Sequence, residues 1–115
     1  MALNCGSNVA LLDTIFASAP LGLAFIDSDL RFVRVNQLLA DMNGASPDAH
    51  VGRRPRDVLP DIPLDACEDT WRRILATGEP ALGVEISGET AAVPGKRRQW
   101  INDCYPVELD GERIG

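Results

Sequence analysis

His50 is the only imidazole in the chain, and Cys5, Cys67 and Cys104 are its only thiols. These four side chains bound the imidazole and thiol chemistry open to the protein. His50 stands near Asp48 and Arg53, with no nucleophile at a recognisable motif spacing. It reads as a surface or helix-end histidine; its other use would be as a pH- or ligand-sensing group at a pocket mouth. The cysteines are odd in number, widely spaced and without a CxxC pair, so they make neither a disulfide framework nor a structural zinc site. Such usage fits a reducing cytoplasm, with Cys67 and Cys104 as small buried hydrophobes. Neither a phosphate-cradling glycine loop nor a metal-binding motif is present. No catalytic residue and no metal ligand is assigned, and the chain is not expected to be an enzyme.

A chain of 115 residues has room for one domain and one core. Its apolar fraction of 45% and charged fraction of 24% are those of an ordinary soluble globular protein. The net charge of −6 argues against a nucleic-acid surface, which needs clustered cations. The one basic run, Lys96-Arg97-Arg98, sits beside Pro94-Gly95 and reads as a solvated loop tip, with a phosphate or partner contact as its other use. No apolar run reaches bilayer length, and the N-terminus has no basic segment followed by an apolar one. Residues 1–8 read as a tail, either disordered or vector-derived.

These residues must be positioned by elements that the patterning predicts. Leu11, Leu12, Ile15, Phe16 and Ala19 recur at helical spacing, which predicts a helix over 9–18, capped by Ser7 or Asn8 and ended by Pro20 and Gly22. It either packs on its own sheet or dimerises. Leu21–Ile26 is nearly all apolar and predicts a strand covered on both faces. Asp27-Ser28-Asp29 is turn chemistry, and Leu30–Val35 returns as an antiparallel strand. Asn36 caps a helix through Met42, with Leu38, Leu39 and Met42 inward and Gly44 as its stop. Ser46-Pro47 starts a short helix, and Arg56–Leu59 can add one turn. Leu64, Cys67, Trp71, Ile74 and Leu75 place a long helix over 61–77, ended by Gly78. Leu82, Val84 and Ile86 alternate as a strand; Arg97–Leu109 is a long strand, and Asp110-Gly111 is a hairpin turn.

Several segments in this order resemble recurring features of the PAS family. They are Pro20-Leu21-Gly22, Asp27, Val35-Asn36, Gly52-Arg53, Val58-Leu59-Pro60, Tyr105-Pro106-Val107 and Asp110-Gly111. The resemblance covers residues 9–115 and implies a single α+β domain with 9–18 as a flanking helix. Its sheet would be five-stranded and antiparallel, in the order 2-1-5-4-3, with helices on one face. In the family the fifth strand is central and runs beyond a segment like Ile114-Gly115, so the last strand is expected to be cut short here. Without it, the first and fourth strands would leave unpaired edges that another chain could fill.

Relatives in that family carry cofactors with specific residue demands. Flavin-binding light sensors need a cysteine motif in the short-helix region, which here reads Gly52-Arg53-Arg54-Pro55-Arg56-Asp57-Val58-Leu59. Haem-binding relatives place a histidine on the long helix, and this one carries only Cys67 and Trp71. Neither group is expected, and the cofactor is unknown. What remains is an apolar pocket between the helices and the inner sheet face. Its expected walls are Phe25, Val33, Leu38, Met42, Val58, Leu59, Trp71, Ile74, Leu75, Val84, Ile86 and Trp100, with Asn102, Cys104, Tyr105 and Ser87 as polar fixing groups. A packed core without ligand is the alternative. Trp100, Asn102 and Cys104 share one strand face, and a one-residue slip would exchange the faces.

The resemblance implies a bacterial, cytoplasmic sensor module in signal transduction, of the kind found in two-component systems. It would bind a small organic ligand, form a homodimer through 9–18 and the outer sheet face, and relay a change to an attached histidine kinase, cyclic-dinucleotide synthase or phosphatase. The competing expectation is a ligand-free interaction scaffold, favoured if Trp71, Trp100 and Met42 fill the interior.

Overall fold

The structure, a computed structural model, describes residues 5–115, with side chains from residue 10 onward. The chain runs α1 (Cys5–Ser18), β1 (Ala24–Ile26), β2 (Phe32–Val35), α2 (Gln37–Asn43), α3 (Pro47–His50), α4 (Pro55–Val58), α5 (Asp65–Thr77), β3 (Ala81–Gly88), β4 (Arg98–Cys104), β5 (Glu108–Leu109) and β6 (Glu112–Arg113). Helices and antiparallel strands mix as an α+β fold. The expected tail over 1–8 falls partly outside the described residues, and α1 begins before residue 9, so Ser7 and Asn8 lie inside the helix.

Arg34 docks α1 onto β2. Its Nη1 is 2.6 Å from Asp13 Oδ1, and its guanidinium carbon is 4.3 Å from the centre of the Phe16 ring. Leu11, Leu12 and Ile15 keep their side chains largely in solvent.

The first strand is shorter than its apolar run. Leu21 is exposed, and pairing starts at Ala24. The turn forms as its acidic residues predict: Asp27 Oδ1 accepts from the backbone N–H of Asp29 and Arg31. The register steps from Phe25↔Arg34 to Ile26↔Phe32, which leaves Val33 as the extra residue of a bulge. Val33 therefore points to solvent at 43% exposure, while Phe32 and Val35 are buried, a correction to the expected facing. On its other side β2 meets the chain again: Phe32 N donates to Arg53 O at 2.9 Å, and Gly52 N to Phe32 O at 2.8 Å.

Asn36 caps α2 through Leu39 N, and Gly44 ends it in the left-handed region. Ser46 caps α3, with Pro47 in its first turn. The α2 stripe that faces inward is Leu39, Ala40 and Asn43, three and four residues apart. Leu38 falls outside it and is 40% exposed, contrary to expectation. Helix α5 starts at Asp65 rather than 61. Pro63 disfavours helical backbone at Ile62, and Ile62 and Leu64 instead enter the core from the approach to the helix.

β3 and β4 pair in a register that sets Val84 opposite Asn102 and Ile86 opposite Trp100. The long strand expected over 97–109 is interrupted at 105–107, where Pro106 offers no N–H to a ladder. The Asp110-Gly111 turn has positive φ at both residues, as a tight hairpin requires, and joins β5 to β6. Among the described residues the ladders are three two-stranded ones: β1-β2, β3-β4 and β5-β6.

Two apolar clusters form the core. Phe32, Val35 and Ala40 pack with Ile26, Leu39 and Val58. Ile62, Leu64 and Cys67 pack with Leu59, Trp71, Ile86 and Trp100. The neighbours Val58 and Leu59 join the two. Among the described residues, no helix is long and apolar enough to cross a membrane.

Candidate functional site

Cys67, Trp71 and Ile74 share one face of α5, spaced four and three residues apart, and Cys67 and Trp71 pack with Ile86 and Trp100 of the β3-β4 ladder. Opposite them the register puts Val84, Ile86, Trp100, Asn102 and Cys104 on one strand face. The Trp71 indole of α5 stands beside Cys104 of β4 and pulls on its titration. Burial pushes both thiols up. For Cys67 the nearby Cys104 adds to this; for Cys104 the Trp71 indole opposes it. Both therefore sit as protonated, weakly nucleophilic groups.

Of the expected wall residues, Ile74 is buried, and Phe25, Met42, Val58, Leu59, Trp71, Leu75, Val84, Ile86, Trp100, Asn102 and Cys104 are half-buried. Leu59, Trp71, Ile86 and Trp100 come together in one cluster, and Val58 joins the other. Val33 and Leu38 stand on the surface, for the reasons of bulge and helix phase given above. Tyr105 is also exposed, and Ser87 accepts a bond from Arg97 at the outer end of the ladder.

Among the described residues, two clefts stand out elsewhere. One, of about 140 Å³, lies between the end of α4 and the β3-β4 loop, with Val58, Leu59, Glu89, Thr90 and Pro94 among its walls. It is smaller than pockets that enclose a drug-sized ligand, which run to about 300 Å³ and more. The other is walled by Arg54, Arg56, Arg72, Asp65, Glu68 and Asp69. Arg56 grips Glu68 there with two bonds of 2.7 and 2.8 Å and reaches Asp65 at 2.8 Å. The Arg56 bond holds the Glu68 carboxyl below the usual carboxylate range, and the same pairing raises the guanidinium. This cleft is an ion-paired seam between α4 and α5. Among the described residues, no three or more His, Cys, Asp and Glu side chains converge as metal ligands.

Four polar joints were not evident from spacing. His50 ends α3 as expected, but it is fully buried rather than at the surface, edge-on to Phe32 at 5.2 Å. Asn36 does more than cap. Its Oδ1 accepts from Leu23 N and Leu39 N, and its Nδ2 donates to Leu21 O at 2.9 Å and Phe16 O at 3.2 Å. Arg98 Nη2 donates to Met42 O at 2.8 Å and to Thr90 Oγ1, whose hydroxyl also donates to Met42 O. Arg113 Nη1 donates to Leu75 O and Ala76 O. The last two end on helix carbonyls, which have no residue-type signature; only a basic residue facing a helix end could have hinted at them.

A family model described as PAS fold matches residues 16–115, so the match begins inside α1. No curated protein matches the chain.

Proposed function

The chain belongs to the PAS-fold family, and on that premise we propose that it is a non-catalytic sensor module of a bacterial signal-transduction protein. It binds a small organic molecule on its apolar inner face and relays the change to an attached effector: a histidine kinase, a cyclic-dinucleotide synthase or a phosphatase. The observation that carries this reading is the shared face of Val84, Ile86, Trp100, Asn102 and Cys104 beneath Trp71 of α5. It offers half-buried apolar walls with an amide and a thiol among them, the composition a small-molecule site needs. A ligand there acts only through different affinities for two arrangements of α5 and the strands.

The five-stranded order 2-1-5-4-3 belongs to this proposal. Val107 pairs with Ile114 and Gly115, and Gly115 runs so close to β1 that an added Cβ would overlap the Ile26 carbonyl oxygen. That approach supports a last strand between β1 and the β4-β5 segment. Homodimerisation through 9–18 and the outer sheet face draws support from exposed Leu11, Leu12 and Ile15 on α1 and from Ile101 and Tyr105 on β4 and just beyond it. A cytoplasmic setting and the absence of a nucleic-acid partner fit the free thiols and the net charge of −6.

A ligand-free interaction scaffold is the second reading, favoured by the packing of Trp71 and Trp100 against Ile62, Leu64 and Cys67. Native and denaturing mass spectra of freshly purified protein, with an absorbance spectrum, separate the two. A released molecule of defined mass supports the sensor; an apo mass that stays unchanged across a small-molecule library supports the scaffold.

A further inference from the structure

Helix α5 is held at its C-terminus by a side chain from the far end of the chain. Arg113 on β6 extends its guanidinium under the last turn, where Nη1 lies 3.2 Å from Leu75 O and 3.1 Å from Ala76 O. Those carbonyls have no partner within the helix, and a cation there also meets the negative end of the helix dipole. The fit is close: a Cβ added at Gly78, which ends α5, would come within 2.7 Å of Nη2. Glu108, across the hairpin from Arg113, places a carboxylate oxygen 3.6 Å from Nε. Arg113 Nε is buried without a hydrogen bond, so the carbonyl pair and the nearby carboxylate hold the group.

The residues after Arg113 lead directly to β1. Ile114 N donates to Val107 O, Val107 N donates to Gly115 O, and Gly115 meets Ile26. The guanidinium therefore stands where α5, the β5-β6 hairpin and the approach to β1 meet. At the other end of α5, Arg56 binds Asp65 and Glu68. A displacement of α5 strains the Arg56 contact with α4 and the Arg113 contact with the C-terminal segment.

We propose that Arg113 is the positioning residue that couples the C-terminal end of α5 to the segment 107–115, so that movement of either shifts the other. This deepens the relay reading and rests on it for its meaning in signalling. The coupling itself is a property of the ligand-free protein. Linkage requires it to be reciprocal: loosening the hairpin frees the helix end, and loosening the helix end frees the hairpin.

Hydrogen exchange of the whole chain, resolved by segment, tests this in wild type, Arg113→Gln, Arg113→Lys and Gly78→Ala. Arg113→Gln is expected to speed exchange about two- to fivefold over both 74–79 and 107–115, the scale of a lost cation at a helix terminus, and to leave 24–35 unchanged. Arg113→Lys keeps the charge and restores part of the protection at 74–79. Gly78→Ala, made from the helix side, speeds exchange over 107–115. Acceleration confined to the mutated element in both Arg113→Gln and Gly78→Ala overturns the proposal. Uniform acceleration over the whole chain, including 24–35, overturns it as well, since it reports general destabilisation. Failure to find any ligand would sink the sensor reading and leave these exchange patterns as they are.

Discussion

Asn43 and His50 face one another inside the core, with the amide Nδ2 3.1 Å from the imidazole Nε2. The other ring nitrogen, Nδ1, lies 2.8 Å from Ser46 O. A carbonyl only accepts, so Nδ1 carries the hydrogen, and Nε2 takes the amide N–H with its lone pair. One ring thus ties α2 to α3 while its edge packs on Phe32 of β2.

The first prediction concerns that ring. Nitrogen NMR at neutral pH should show His50 as the Nδ1–H tautomer. His50→Phe keeps a ring against Phe32 but strands the Asn43 amide and takes one of two donors from Ser46 O, which keeps the Ala49 N–H. It should cost about 2 kcal/mol or more in urea unfolding, the scale of buried polar groups left without partners. A loss within experimental error would show that the two bonds contribute nothing.

Asn36 should prove more sensitive than an ordinary helix cap. Asn36→Ala removes bonds to Leu23, Leu39, Leu21 and Phe16 together and is expected to cost about 2 kcal/mol or more. Asn36→Asp keeps both accepted bonds and loses both donated ones. It should leave α2 protected in hydrogen exchange while the exit of α1, residues 16–22, exchanges faster. Equal loss of protection in α2 would contradict the division of roles.

Two glycines with nearly the same φ should respond differently to alanine. Gly44 has φ +81 and Gly52 φ +80. At Gly52 an added Cβ meets nothing within 4 Å, whereas at Gly44 it would run into the backbone of Ala91 and Ala92. Gly52→Ala should cost about 1 kcal/mol from backbone strain alone. Gly44→Ala should cost about 3 kcal/mol, because the loop between β3 and β4 must also move. Equal costs in thermal or urea unfolding would mean that this loop gives way freely.

The seam between α4 and α5 should show itself in acid. Glu68 is held below its ordinary titration range mainly by the Arg56 bond, so its carboxylate binds protons less readily when folded. Its contribution is present above the ordinary range of a free Glu and is lost as the pH falls through the lowered folded value. Glu68→Gln should therefore lower stability near neutral, where the Arg56 pairing contributes, and flatten the fall on the acid side, so that variant and wild type converge as the pH drops. Unfolding midpoints measured from neutral pH down to about 3, which spans the ordinary Glu range, check this. An acid limb that survives unchanged in Glu68→Gln would assign it to other carboxylates.

The local devices were legible because they are written in neighbouring residues. Asn36 as a cap, Ser46-Pro47 as a start and Asp110-Gly111 as a turn appear where the spacing puts them. The shared face of Val84, Ile86, Trp100 and Asn102 also follows from alternation, since β3 and β4 pair regularly from Val84 to Gly88; the ladder slips only before that, between Ala81 and Val84. Val33 failed the same logic because a bulge inserts one residue, and alternation carries no mark of where a ladder will slip. Leu38 failed because an apolar residue one position off a helix stripe looks the same in sequence as one on it. His50 was hidden for another reason. Its partners are an amide seven residues away at the end of the preceding helix and a backbone carbonyl. Burial of a polar ring is decided by such partners, which only the folded chain assembles.

The pairing of Phe32 with Gly52 and Arg53 has a consequence for behaviour at high concentration. The outward row of donors and acceptors on β2 is partly taken up by the chain's own backbone, and the Val33 bulge twists that row away from a flat strand. A neighbouring molecule finds little there on which to lay a matching strand, so fibril growth should not start from this margin.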